Sequence, residues 1–434
     1  MITVNRKKLL SRSIVCIFLL LIFLRDILGI GIPLIGLTVV WCFGLLIWDD
    51  DEMVAFTVAA TICFASSISI TIPLFVFLLL FVFKHKILCR SSTLYLSLLI
   101  IFIEGTKFLQ FDNQDFKLYV NYSMIILVVA FVISFQFKKN IFDIALILKY
   151  YIAFFIFLSL DILILTIKNY GSFSAILDTS FRIGQTDFIE GELSSAMSIN
   201  ANGIGLLAII AVIVAYILLR NHYVSKTYAY SVMVYSSIIG FLTVSKTFFV
   251  IYILMVILIT IENTITYSKN PTKILALFVI IVIVFLIFKN TTFYSNIMLR
   301  FSTGDLTTGR IDITQKYIEF MSAHPQYQAF GLGLQNVNTK VGLANVPHNA
   351  ILEIYVTLGI VGLISYLFFF IGIFFQANRN NLKVHNRKIP FLNIIPIIIY
   401  LVFIQSLQFL RISYIYGSIV IIALILLLCE KNKN

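Results

Sequence analysis

The side chains best suited to chemistry in this 434-residue chain fall in one stretch, in the order Gly309-Arg310, His324-Pro325, Phe330-Gly331-Leu332-Gly333 and Pro347-His348-Asn349. The last runs into an apolar segment that holds Glu353, Gly359 and Gly362. An arginine is permanently charged and presents a planar fork of donors, so it can hold an anionic group that departs during a reaction. A histidine of ordinary pKa, about 6.5, can take the proton of an attacking hydroxyl near neutral pH. Further cations stand apart in sequence: Arg182, Lys246 in Ser245-Lys246-Thr247, and Arg411 just after Gln405 and Gln408. Each has a plainer reading. Arg310 and Lys246 can snorkel to lipid headgroups, and Arg182 can pair in solvent with Asp178, Asp187, Glu190 or Glu192. His348 can serve as a helix cap. His324, before Pro325 and a glycine turn, reads as a helix stop, and His85, His222 and His385 read as loop residues.

The elements that must carry these groups are set by composition. Hydrophobic residues make up 60% of the chain and charged residues 12%, with a mean hydropathy of +1.01. A soluble domain carries about twice that charge. The sequence therefore predicts an all-α integral membrane protein, one polytopic domain over residues 1–434. Apolar stretches fall near 13–24, 27–48, 53–66, 68–83, 94–109, 118–137, 141–167, 199–219, 227–244, 247–265, 274–288, 349–375, 391–410 and 412–428. Read singly they give fourteen spans; merging the short early ones into longer kinked spans gives twelve. Arg25 and Asp26 mark a hairpin break, because two charges are cheaper near the surface than at a bilayer centre.

Basic clusters at the N-terminus, Lys84/Lys86/Arg90, Lys138/Lys139, Arg220 to Lys226, Lys269/Lys273, Arg379 to Lys388 and Lys431/Lys433 mark the cytoplasmic side. Both termini come out cytoplasmic, with the first apolar stretch an uncleaved span. The net charge of +12 is accounted for by these loops, without nucleic acid. Two connections long enough for chemistry, 168–198 and 289–348, fall outside. The second contains an amphipathic stretch, Asp312 to Ala323, with Ile313, Tyr317, Phe320 and Met321 on one side, which predicts a helix lying at the membrane surface. The five cysteines stand singly and read as core fillers; the run Asp49-Asp50-Asp51-Glu52 reads as a hydrated turn rather than a metal site. Gly331 and Gly333 read as turn residues, and Gly359 with Gly362 as sites of close helix packing.

In order and spacing, the elements from Gly309-Arg310 to Gly359 and Gly362 resemble the bacterial O-antigen ligase and polymerase family. That family shows a Gly-Arg pair, a surface helix, a "HP..GxG" turn and a His-Asn pair opening a span that ends in "G..G". Asn200-Ala201-Asn202-Gly203 is similar to the family's "NPN" opening, and Ser245-Lys246 stands where the family has Ser-Arg. Named motifs cover roughly residues 180–375. The resemblance implies a membrane glycosyltransferase of the integral GT-C type in the bacterial cytoplasmic (inner) membrane. Its substrate would be an undecaprenyl-diphosphate-linked oligosaccharide, polymerised on the external face into capsule, exopolysaccharide or O-antigen. In that reading His348 and Arg310 are catalytic, while Arg182, Lys246, Asn349, Glu353 and Arg411 bind pyrophosphate or sugar. The expected step is inverting and needs no metal or cofactor. Other polysaccharide-assembly proteins are candidate partners. The alternatives are a ligase that delivers glycan to a lipid or wall acceptor and, from another class, a lipid-linked sugar flippase or secondary transporter. The flippase reading calls for ionisable groups near the midplane and inverted repeats; in this sequence only Glu104 and Asp161 hint at depth.

Overall fold

A computed structural model describes residues 2–63, 68–85, 91–111, 115–139, 142–170, 182–184, 200–267, 310–343, 347–385, 389–407, 410 and 413–428, with 289, 294, 295 and 298. Most of the 168–198 connection, Gly309, the stretch near 274–288, the Lys269/Lys273 cluster, Gln408, Arg411 and the Lys431/Lys433 tail lie outside the described residues.

All regular structure among the described residues is helical. The helices are α1 (Ile2–Asp26), α2 (Leu34–Ile47), α3 (Asp50–Cys63), α4 (Ile68–His85), α5 (Ser92–Gly105), α6 (Lys107–Gln110), α7 (Phe116–Lys139) and α8 (Ile144–Tyr170). They continue as α9 (Ala201–Arg220), α10 (Lys226–Leu242), α11 (Lys246–Tyr267), α12 (Arg310–Ala323), α13 (Val337–Val341), α14 (Ala350–His385), α15 (Phe391–Phe403) and α16 (Ser413–Ile425). Among the described residues five segments are long and apolar enough to cross a bilayer: Ser92–Gln110, Phe116–Phe137, Ile144–Lys168, Ala201–Arg220 and Ala350–Leu382. Leu34–Ile47, Ile70–His85, Phe391–Ser406 and Ile415–Ile425 are shorter apolar helices. The chain is thus a multi-pass membrane protein, as its composition requires. In the early region α2, α3 and α4 are separate helices. The Arg25–Asp26 pair, 2.6 Å apart, sits at the end of α1, where the chain turns.

Helix α9 is buried on nearly every side, so its uniformly apolar sequence reflects a central position. Around it α3 packs on α8, α9 on α10, α5 on α14, and α16 on α3 and α7. Polar side chains mark the two ends of this bundle. At one end Lys84 Nζ lies 2.5 Å from Asp50 Oδ1, the Asp143 amide donates to Asp51 Oδ1 at 2.8 Å, and Ser11 donates to Glu52. Arg220 Nη2 meets Glu262 Oε1 there at 3.2 Å. The acidic run is therefore more than a turn. Asp50, Asp51 and Glu52 form the first turn of α3, where carboxylates complement the helix dipole, and they bind neighbouring segments.

The opposite end is organised by a break in α14. Gly359 adopts φ 69°, ψ −170°, so the helix stops and restarts there. The freed backbone groups are taken by the glycine turn. Leu332 and Gly333 donate to the carbonyls of Val356 and Thr357 at 2.9 and 2.8 Å. Ile360 and Val361 donate to those of Gln328 and Ala329 at 2.8 and 3.2 Å. Gly331 and Gly333 both have positive φ, 68° and 80°, as turn residues do. Gly359 has a different task from the helix packing its spacing suggests: a Cβ there would stand 2.2 Å from the Ala329 carbonyl oxygen. A second tie joins Asp115 and Gln335, whose side-chain amide accepts from the Asp115 amide at 2.5 Å and donates to its carbonyl at 2.9 Å.

This arrangement predicts unequal costs for adding one methyl group. Gly359→Ala loses at least ~2 kcal/mol, from backbone strain and the clash with Ala329. Gly342→Ala, at φ 73° with nothing within 4 Å of the new methyl, loses only about 1 kcal/mol. Thermal denaturation of the two purified variants in detergent checks the order, and equal midpoints would contradict it.

Candidate active site

Arg310 opens α12, a helix held by its buried face. Tyr317 and Met321 pack with Leu332, Val337 and Val356, and Ile313 and Phe320 lie against the same cluster. These are the four residues that the sequence places on the apolar side. The helix stops at His324, whose Nδ1 lies 2.8 Å from the Phe320 carbonyl and whose ring stacks on Phe320 at 4.1 Å. Gln328 Nε2 donates to the Met321 carbonyl at 3.0 Å, joining the helix end to the glycine turn. Arg310 itself is half-buried.

His348 precedes α14 and is half-buried as well. The capping role belongs to its neighbour: Asn349 Oδ1 accepts from the Leu352 amide at 3.0 Å. Burial lowers the pKa of His348 below the ordinary value, and the charge of Arg310 lowers it further. Burial also lowers the pKa of Arg310, which remains a cation. The structure thus brings Arg310 and His348 within each other's field, from positions 38 residues apart in sequence. Both effects favour the neutral imidazole, the form that can accept a proton.

One turn into α14, Glu353 is buried, and its Oε1 accepts from the Leu410 amide at 3.2 Å. The Leu410 carbonyl lies 3.4 Å from the Tyr416 hydroxyl, which contacts the Tyr366 hydroxyl at 3.0 Å; Tyr366 in turn contacts the Tyr122 hydroxyl at 3.1 Å. A chain of buried polar groups therefore runs from the first turn of α14 into the bundle. Arg411 adjoins Leu410 in sequence but lies outside the described residues.

Arg182 and Lys246 form a second group. The Ile183 amide donates to the Leu242 carbonyl at 3.1 Å, which docks the Arg182 segment on the turn before Lys246. In that turn Val244 has φ 46°, an unusual conformation for a β-branched residue. Ser245 Oγ donates to Asn202 Oδ1 at 2.8 Å, and Asn200 Oδ1 accepts from the Gly203 amide at 2.7 Å to cap α9. The Asn-Ala-Asn-Gly motif is thus a helix cap joined to the Ser-Lys turn. Phe248 of α11 and Phe403 of α15 both close on Gly205, where a Cβ would lie 3.3 and 3.5 Å from them. Since α15 leads on to Leu410, the group around Lys246 and the group around His348 occupy the same end of the bundle.

Two residues in this region carry more than the sequence suggests. Glu104 and Lys107 are buried, and both bind the glycine turn. Their signal is a carboxylate and an ammonium three residues apart at the end of an apolar stretch, a spacing that suits a helical pair.

Residues 231–367 match the family model described as O-antigen ligase. No curated protein matches the chain. The family match supports the resemblance to the O-antigen ligase and polymerase family, whose members are membrane glycosyltransferase-like enzymes acting on lipid-linked polysaccharide. The matched stretch contains Lys246, Arg310, the glycine turn, His348, Asn349, Glu353 and Gly359; Arg182, Glu104, Lys107 and Arg411 fall outside it.

The electrostatics can be measured directly. His348 should titrate below the ordinary value of about 6.5, and Arg310→Ala should move its midpoint upward by removing a neighbouring positive charge. Histidine NMR of the labelled protein in detergent, assigned through His348→Gln, reads both. An unchanged midpoint in Arg310→Ala would contradict the pairing.

Proposed function

We propose that the chain, which carries an O-antigen ligase family match over residues 231–367, polymerises lipid-diphosphate-linked oligosaccharide repeat units on the external face of the bacterial cytoplasmic membrane. The observation that carries this reading is that α12, which opens with Arg310, and the first half of α14, which follows His348, rest on one glycine turn. In the proposed step a hydroxyl of one lipid-linked repeat unit attacks the anomeric carbon of a growing chain. The C1–O bond to the lipid diphosphate breaks, and both its electrons leave with the diphosphate. His348 takes the hydroxyl proton. Attack from the side opposite the leaving group inverts the anomeric centre. Arg310, assisted by Lys246 and Arg182, holds the departing diphosphate; Asn349, Glu353 and Arg411 serve sugar and diphosphate binding. No metal or cofactor takes part.

The pairing supplies a physical coupling for this step. With Arg310 uncompensated, protonating His348 adds a second positive charge within its field, so protonation is disfavoured. As negative charge develops on the diphosphate it offsets Arg310, and the imidazole then gains its proton more readily. Proton transfer is favoured as the leaving group departs. Fixed cations at a partly dry membrane surface need little reorganisation to do this.

The proposed topology has twelve to fourteen spans of GT-C type, with both termini cytoplasmic and the 168–198 and 289–348 connections external. A ligase uses the same arrangement with a different acceptor, and the deletion phenotype separates the two. Loss of a polymerase leaves single repeat units, whereas loss of a ligase leaves long chains on the carrier lipid. A flippase is less well supported, because the described segments that carry Arg310, Lys246 and Arg182 belong to one end of the bundle.

Arg310→Ala and His348→Ala should each abolish polymer while single units persist, as read by gel analysis of surface glycan from cells expressing each variant at wild-type level. Wild-type chain lengths from both variants would refute the assignment.

A further inference from the structure

We propose that Glu104 and Lys107, upstream of the family match, are positioning residues for the transfer step: they clamp the glycine turn on which α12, opening with Arg310, and the first half of α14, just after His348, both rest. The inference depends on the function proposed above for its catalytic readout, but its geometry stands independently.

The clamp grips the turn along its length. Lys107 Nζ donates to the Gly331 carbonyl at 2.9 Å and to Gln110 Oε1 at 3.0 Å. Glu104 Oε1 accepts from the Leu334 amide at 2.7 Å. Between these points the Leu332 and Gly333 amides bind the broken helix α14, and the Leu332 carbonyl accepts from Asn336 Nδ2 at 3.0 Å. The turn is thus held from α5–α6 at residues 331 and 334, and from α14 at the two amides between them. The Lys107 stem leaves no room above it: a Cβ on Gly333 would stand 2.6 Å from its Cγ.

The two side chains are 3% and 1% exposed, at the end of an apolar segment. Burying a charge pair in such a place contributes little net stability compared with an apolar pair, but its bonds are directional. Direction matters here because of what the turn supports. Its Leu332 packs with Tyr317 and Met321 of α12, the helix that begins at Arg310, together with Val356 of α14. Its bonds to Val356 and Thr357 hold the half of α14 that begins just after His348. Moving the turn therefore changes the position of Arg310 relative to His348, and a displacement of about 1 Å at a reacting centre costs on the order of 100-fold in rate.

The test uses full-length protein in vesicles, with the lipid-linked oligosaccharide fraction extracted from cells that lack the gene as the probe. Lys107→Met removes the donor at similar length, and Glu104→Gln removes the charge at the same shape. Each variant should lower kcat on the order of 10- to 100-fold and move the acid limb of the kcat–pH profile upward, as Arg310 shifts away from His348. A merely structural role lowers the active fraction equally at every pH. A fall in rate with an unmoved limb, or a wild-type rate from folded variants, overturns the proposal. Hydrogen exchange on the wild-type protein needs no variant: the Leu332, Gly333 and Leu334 amides should exchange as slowly as those of α9. Rapid exchange there overturns the clamp whether or not the variants fold. If Arg310→Ala and His348→Ala retain full activity, the proposed function fails instead, and slow exchange would leave the clamp geometry standing.

Discussion

A helix that breaks inside an apolar bundle exposes backbone donors and acceptors that water cannot reach, and each buried group left unmet costs about 1–3 kcal/mol. In this protein the break at Gly359 and the turn at Gln328–Leu334 meet that cost for each other. The freed amides of Ile360 and Val361 find the carbonyls of Gln328 and Ala329, while the carbonyls of Val356 and Thr357 accept from Leu332 and Gly333. Neither segment would be satisfied alone in its present form. The interlock fixes the long connection onto the bundle by backbone geometry, and the positive φ of Gly331, Gly333 and Gly359 is the conformational requirement it imposes.

From that interlock the candidate site follows in two steps of packing. The apolar side of α12 lies on Leu332 and Val356, which locates Arg310; the first half of α14 is held by the same turn, which locates His348. In that site His348 lies within the field of a permanent cation, which opposes its protonation until an anion arrives. A leaving diphosphate is such an anion. At the same end of the bundle, the Ser245-Lys246 turn and the docked Arg182 segment supply further positive charge, held through Asn202 and the cap of α9.

Much of this was legible in the sequence, and the reasons differ by element. Apolar runs bounded by basic clusters located the long helices, because a bilayer leaves few alternatives to a helix. The side of α12 that carries Ile313, Tyr317, Phe320 and Met321 was readable from helical periodicity alone. The roles of Gly359, Asn349 and the Asp50–Glu52 run were not. Gly359 looks like a packing glycine until the turn from residues 328–334 is laid against it, and Asn349 rather than His348 proves to be the cap. Glu104 and Lys107 were least visible, since their partners lie more than 220 residues away. Local patterns report a helix and its faces; they cannot report which distant backbone a buried charge will hold.

The central claim is that His348 accepts a proton as a sugar's diphosphate leaves toward Arg310. The most direct measurement is single-turnover release of lipid diphosphate from a bound lipid-linked oligosaccharide by purified protein, compared between wild type and His348→Gln. The account predicts that the variant binds the donor with similar affinity but releases diphosphate at least about 100-fold more slowly. Release at the wild-type rate would contradict it.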